Sequence, residues 1–251
     1  MKRFSLWVMT FVLSVVICSA GADPLSLAED LSNILIVLYN PDLPAEGSCT
    51  YSYRYPCISS DEPDASRINP FFADKITMLE TNIEFLASGY ANDGITVSIE
   101  ETYRITCNND QFFSVLITRT SSMGDQTGTT WQGLTFSRTE GVSDTSFDLP
   151  RMLGILDADE LDEYQLTRQT EKAAEIVREL IVDQISDSDD SIPYYSPFTA
   201  DDLIDVFYPE EDFYLNEDGD PVFYLEPGIA ADESYGYLEF TIPIDLIEDE
   251  L

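Results

Sequence analysis

The chain has 251 residues, 44% of them hydrophobic and 12% aromatic, which is enough apolar material for one large domain or two small ones and too much for a disordered chain. It carries 48 acidic residues against 12 basic ones, a formal charge of −36, so nucleic acid and anionic membranes are poor partners, while cationic proteins, cationic polymers and divalent cations are attracted at rates that fall with salt. No His occurs anywhere, which excludes Ser-His-Asp and Cys-His nucleophile pairs, His-containing zinc sites and imidazole proton transfer, and leaves carboxylate chemistry.

At the N-terminus Lys2 and Arg3 precede the apolar run Leu6 to Ile17, and Ser19-Ala20-Gly21-Ala22 follows it. That order predicts a signal peptide over residues 1–22. The run is too short to span a bilayer as a helix, and cleavage after Ala22 makes Asp23 the first mature residue and leaves no spanning segment. Loss of Lys2 and Arg3 takes the formal charge from −36 to −38. Cys18 has the bulky pair Val16-Ile17 before it, where a lipoprotein cysteine needs a small residue. Cys49, Cys57 and Cys107 then remain; an exported chain can oxidise two and leaves one over, and the sequence does not choose among the three pairings.

The segment Pro24 to Leu38 reads as a short helix or an ordered N-terminal segment, ended by Asn40-Pro41. Tyr51 to Tyr55 alternates aromatic with small or polar residues, as a half-buried strand does, and Pro56 limits it. Asn69-Pro70 reads as an N-cap and first helical residue, with Phe72, Ile76, Leu79, Ile83 and Leu86 on one face and Gly89 as a stop. The period then changes to two. Ile95, Val97, Ile99, Tyr103 and Ile105 predict a strand that turns at Asn108-Asn109-Asp110 into Phe112 to Thr118. A Gly/Thr-rich connector, Met123 to Thr130, leads to a strand over Trp131 to Thr139 and then to Ser146-Phe-Asp-Leu149.

A second long helix is predicted from a capping box of Asp157 and Glu160, with Leu161, Tyr164, Ile176, Val177, Leu180 and Ile185 as its apolar face. The acidic run Ser186 to Ser191 reads as a solvated loop, and Thr199 with Asp202 caps a short helix through Phe207. In Asp212 to Pro227, residues Asn216, Asp218 and Asp220 are spaced like part of a calcium loop, but Pro221 and the apolar run Val222 to Leu225 stand where its later ligands belong. Asp218-Gly219 between two aromatic runs predicts a hairpin instead. A last strand follows at Tyr237 to Ile242. The order of elements predicts an α+β fold, an antiparallel sheet with helices packed on one face. The predicted division is a signal peptide (1–22), an N-terminal segment (23–50) and one α+β domain (51–251), with 51–150 and 151–251 as candidate subdomains.

The order Phe213-Tyr-Leu, Asp218-Gly219, Val222-Phe-Tyr, Glu226-Pro227, Gly236 and Leu238 to Pro243 resembles the extracytoplasmic domain of lysozyme-sensing anti-sigma factors and of certain peptidoglycan deacetylases in Gram-positive bacteria. Upstream, Tyr53 to Pro56, Ile68-Asn69, Tyr103-Arg-Ile105, Asn108-Asn109, Phe113-Ser-Val115 and Phe147-Asp-Leu149 fall in the family's order, so the likeness spans roughly Tyr51 to Leu246. Where that family has Gly-Gly-Ala-His, this chain has Met123-Gly-Asp-Gln-Thr127, and it has no portion resembling a sigma-binding or deacetylase domain. The resemblance therefore implies the fold and a non-catalytic role at the cell envelope, with lysozyme or a peptidoglycan component as partner.

The expectation is a secreted binding or sensing module without catalytic, cofactor or metal-ligating residues and without a cofactor. Its partner is an extracellular protein, such as a cationic muramidase, or a wall component. The alternative is a carboxylate-dependent glycosidase acting on wall glycan, which requires two acids in one cleft, at least one with a raised pKa. A third reading has the acids binding calcium for stability. The charge balance also serves plain solubility, and with Lys only at positions 2, 75 and 172 it fits a salt-rich or acidic habitat.

Overall fold

The alternation around Tyr51 produces strand β2 (Cys49–Tyr55), which buries Tyr51, Tyr53 and Tyr55 on one face. It belongs to a five-stranded sheet with β1 (Leu31–Val37), β3 (Val97–Asn108), β4 (Phe112–Met123) and β5 (Gln126–Ser137), in chain order across the sheet. The computed structural model describes residues 23–37, 49–91, 96–139, 146–156, 162–188 and 191–251, and the side chains of 84–91 are not among them. The expected signal peptide and Cys18, Asn40-Pro41, Ile95, and Asp157, Glu160 and Leu161 lie outside the described residues.

Three of the four pairings are antiparallel, but β2 and β3 run parallel. Parallel neighbours need a crossover, and helix α1 (Ala65–Ala91) supplies it. The N-terminal segment is a strand and not a helix: β1 pairs along its whole length with β2, from Leu31 opposite Tyr55 to Val37 opposite Cys49. The open edge of β2 offers backbone partners to an aliphatic, β-branched run, and such long-range pairing overrides local helix preference. Residues 31–37 thus share the sheet of the domain expected from Tyr51 onward.

Helix α1 begins four residues before the expected cap. The Asp64 carbonyl already accepts from Arg67 N (3.0 Å) and Ile68 N (2.9 Å). Asn69 is no cap; its carboxamide bonds both backbone groups of Ile58 at 2.8 Å, which ties the exit of β2 to the helix. Pro70 sits inside the helix, and the helix continues past Gly89 to Ala91. The predicted apolar face holds where it is described: Phe72 and Ile83 are buried, and Ile76 and Leu79 pack against the same core.

The β3–β4 hairpin turns at the expected residues, with the Asn109 carboxamide oxygen accepting from Gln111 N and Phe112 N at 2.9 and 2.8 Å. The expected connector from Met123 to Thr130 is mostly strand. Gly124, with φ of +60°, makes a two-residue turn, and β5 starts at Gln126, paired with Met123. Rich Thr content suits a strand, so pairing extends where a loop was predicted.

A second sheet consists of β6 (Phe213–Leu215), β7 (Pro221–Leu225) and β8 (Leu238–Thr241), all antiparallel. Tyr214, Val222 and Tyr224 lie on the face that packs with Leu116, Trp131 and Tyr237. Phe213, Leu215, Phe223, Leu225, Leu238 and Phe240 point the other way, into a core shared with helix α3 (Glu163–Asp187). The layers are therefore α1, first sheet, second sheet and α3, an α+β fold in which each sheet carries its long helix on one face. The capping box of α3 is Asp162 with Gln165, five residues after the one predicted, with bonds of 2.8 and 3.0 Å. Ile176, Val177 and Ile185 are buried on this helix, whereas Tyr164 is 74% exposed and not part of the apolar face. The short helices α2 (Leu149–Met152), capped by Asp148, and α4 (Ile244–Glu250) complete the fold. The Thr199–Asp202 box caps a 3-10 turn, Ala200–Leu203, as expected in place if shorter in extent. No described helix is long and apolar enough to cross a membrane.

Candidate functional site

Inward-facing positions on β3 alternate as Val97, Ile99 and Glu101. The third puts a carboxylate under α1, in a layer otherwise dominated by Tyr, Phe, Val, Ile and Leu. Glu101 is only 4% exposed. Burying a carboxylate is costly unless charges and hydrogen-bond donors surround it, and four neighbours do so. From β2, Tyr51 donates to Oε1 at 2.5 Å and Tyr55 donates to Oε2. Lys75 of α1 places Nζ 3.7 Å from Oε2, and Arg119 of β4 places Nη1 4.0 Å from Oε1. Burial first, and then the bonds to Glu101, push both tyrosine phenols well above their ordinary range. Both therefore stay protonated as donors to the carboxylate.

Two hollows adjoin this cluster, and Phe71, Lys75, Glu101, Arg119 and Gln132 line both. The larger, about 620 Å³, opens at the β5 edge where the two sheets meet, and its far wall is acidic: Asp148, Glu210, Glu211 and Asp212. The smaller, about 420 Å³, lies along α1 and adds Tyr51, Asp74, Met78, Leu79 and Asn82. Asp212 is half-buried in the wall of the larger cleft. Burial raises its pKa to about 6 against the pull of the Tyr208 N–H that it accepts at 2.8 Å, and Glu226, Glu211 and Glu210 raise it further.

The aromatic part of this cleft is held rigidly. Trp131 stacks on Tyr237 with ring centres 4.1 Å apart and planes 6° from parallel, and Tyr224 meets Trp131 edge-on. The hydroxyl oxygens of Tyr224 and Tyr237 accept from the N–H groups of Gly133 and Trp131, each at 3.1 Å. Gly133 allows the close approach of β5 to β6: a Cβ there would stand 1.7 Å from the Phe213 carbonyl oxygen.

The sequence motif that resembled a calcium loop is the turn of the β6–β7 hairpin. Gly219 adopts φ of +92°, and the Asn216 carboxamide oxygen is taken by the N–H groups of Asp218 and Asp220 at 3.0 and 2.9 Å. Among the described residues no three His, Cys, Asp or Glu side chains are grouped to hold a metal ion. Cys49, Cys57 and Cys107 are all free thiols, so none of the three pairings left open by the sequence is formed. Glu101 and Asp212 escape sequence reasoning because acids are so numerous; Glu101 alone leaves a trace, as an acid on the apolar parity of β3.

No family model and no curated protein matches the sequence. Among solved structures, the chain is similar to a DUF3298 family member from Bacteroides fragilis, with 12% identity and a TM-score of 0.54, over 90% of this chain and 94% of that one. A DUF3298 family protein from Pseudomonas aeruginosa also matches, with 15% identity and a TM-score of 0.49, over 90% of this chain and 93% of that one. With its two sheets and flanking helices, the chain has the fold of the Bacteroides DUF3298 protein.

Proposed function

We propose that the chain is a secreted or envelope-associated binding module, released by cleavage near Ala22, that recognises a cationic partner without turning it over. The observation behind this reading is the cleft between the sheets, walled by Asp148, Glu210, Glu211 and Asp212, in a chain of formal charge −36. Long-range attraction steers a basic protein toward such a surface, and the concave acidic wall gives its Lys or Arg side chains a place to dock. The order of sequence motifs, which resembles that of lysozyme-sensing domains, supports a cationic muramidase as the partner and a wall component as the other candidate. Titration with purified lysozyme at low and moderate salt tests it. Binding that weakens with salt, and weakens again in Glu210→Gln/Glu211→Gln, is expected; no binding at either salt refutes the muramidase, and no retention on purified wall refutes the other candidate.

One observation favours a second reading, the carboxylate glycosidase: the larger cleft holds two carboxyl groups, Glu101 and Asp212, and burial raises Asp212 to about 6, as the general acid of such a pair requires. Turnover of a wall glycan lost in Asp212→Asn would establish it; intact glycan after prolonged incubation would end it.

A further inference from the structure

We propose that the smaller hollow, along α1, which shares Lys75, Glu101 and Arg119 with the larger cleft, is a second site, for a carboxylate attached to a small apolar body. The charged end of the site is Arg119 with Lys75, and the apolar wall is Phe71, Met78 and Leu79. Phe71, Lys75, Met78 and Leu79 stand at helical spacings of four, three and one, so α1 presents them along one side.

Charge is the first argument. Only 12 of the 251 residues are basic, yet two of them, Lys75 and Arg119, line this hollow and offset its two acids, Glu101 and Asp74, so the hollow is locally neutral in a strongly acidic chain. Glu101 fixes both cations without saturating them. Its two oxygens take the Tyr51 and Tyr55 hydroxyls, while Lys75 and Arg119 stay at 3.7 and 4.0 Å, beyond hydrogen-bond length.

The second argument is the unused valence of Arg119. Among the described residues its guanidinium donates no hydrogen bond; it stands 5.9 Å over the Tyr51 ring, and its side chain is 40% exposed. Lys75 donates to Gln132 at 3.2 Å and keeps further donors. A planar guanidinium with free N–H groups fits a carboxylate in a two-pronged bond. Beside it Met78 is 66% exposed, an apolar side chain on the helix surface that such a ligand would cover. The volume, about 420 Å³, falls in the range of small-molecule sites. This site stands whether or not the acidic cleft receives a basic protein.

Calorimetric titration of the purified chain with octanoate, its uncharged amide octanamide, and N-acetyl-Leu-Leu tests the proposal. At least one of the two acids binds, and octanamide binds at least tenfold more weakly than octanoate where octanoate binds. Arg119→Gln weakens the bound acid at least tenfold, and so does Met78→Asp, which places a charge on an exposed position and spares the core if Arg119→Gln unfolds. Preference for octanoate assigns an alkyl acid, and preference for the dipeptide assigns a peptide carboxyl end. Octanamide binding as well as octanoate, an acid affinity unchanged in Met78→Asp, or no heat with either acid overturns it.

Discussion

Glu101 and Arg119 stand directly opposite each other in the β3–β4 register, yet their charged groups approach only to 4.0 Å, because the carboxylate commits its hydrogen bonds to Tyr51 and Tyr55. Charge neutralisation and hydrogen bonding are thus divided among different partners. Glu101→Gln keeps the shape, removes the counter-ion of Lys75 and Arg119, and sets an amide N–H₂ against a phenol proton. We expect a loss of about 2 kcal/mol, below the 3–5 kcal/mol of fully buried pairs because both cations keep contact with water. Tyr55→Phe removes one bond to a charged acceptor and costs about 2 kcal/mol. Urea midpoints with unchanged slope measure both; greater stability in Glu101→Gln would mean that the buried charge is a net burden.

Gly133 is a point of close backbone contact between the two sheets. An added Cβ meets the Phe213 carbonyl at 1.7 Å, while at Gly128, on the same strand, it would meet only Ser121 Oγ at an ordinary 3.7 Å. Gly133→Ala is expected to cost about 3 kcal/mol, since the contact is backbone and cannot swing away. Gly128→Ala is expected to be neutral or slightly stabilising through the unfolded chain. Equal melting temperatures for the two variants would contradict the packing of β5 on β6.

The thiols give a prediction on accessibility. Cys49 and Cys107 are buried and Cys57 is partly exposed; burial raises the Cys49 thiol and pushes that of Cys107 up to about 11. Reactivity follows thiolate fraction and access. A maleimide should therefore label Cys57 first in the native protein, and Cys49 and Cys107 only after unfolding, as peptide mapping would record. Early labelling of Cys107 would show that the β3 end opens in solution.

What the sequence made legible was whatever depends on near neighbours. Period-two runs at Tyr51 and Val97, the Asn109 turn, the Asp218-Gly219 hairpin and the α1 face at Phe72 and Ile83 are set by residues a few positions apart. What it hid depends on distant partners. Of the two readings of the N-terminal segment, a short helix or an ordered stretch, the helix lost over Leu31–Val37 to the β2 edge, Asn69 left its expected capping role to bond Ile58, and the parallel β2–β3 pair arises only once α1 crosses the sheet. The cleft was least legible, since Glu101, Arg119, Lys75 and Asp212 come from four separate elements or loops and share no spacing.

Asp212 offers a test through pH. Its folded pKa of about 6 lies above the ordinary 3.8, so the folded state holds the proton more tightly than the unfolded one. The stabilisation is complete below about pH 4 and disappears as pH rises through 6, leaving the ionised carboxylate as a cost at neutral pH. Asp212→Asn keeps an oxygen to accept the Tyr208 N–H and cannot ionise. The variant should therefore melt a few degrees above the parent at pH 7.5 and level with it at pH 4, compared as a difference because the other acids titrate in both proteins. A variant that melts below the parent at pH 7.5 would mean that Asp212 is ionised at no cost, and that the burial and neighbouring carboxylates described for it do not act in solution.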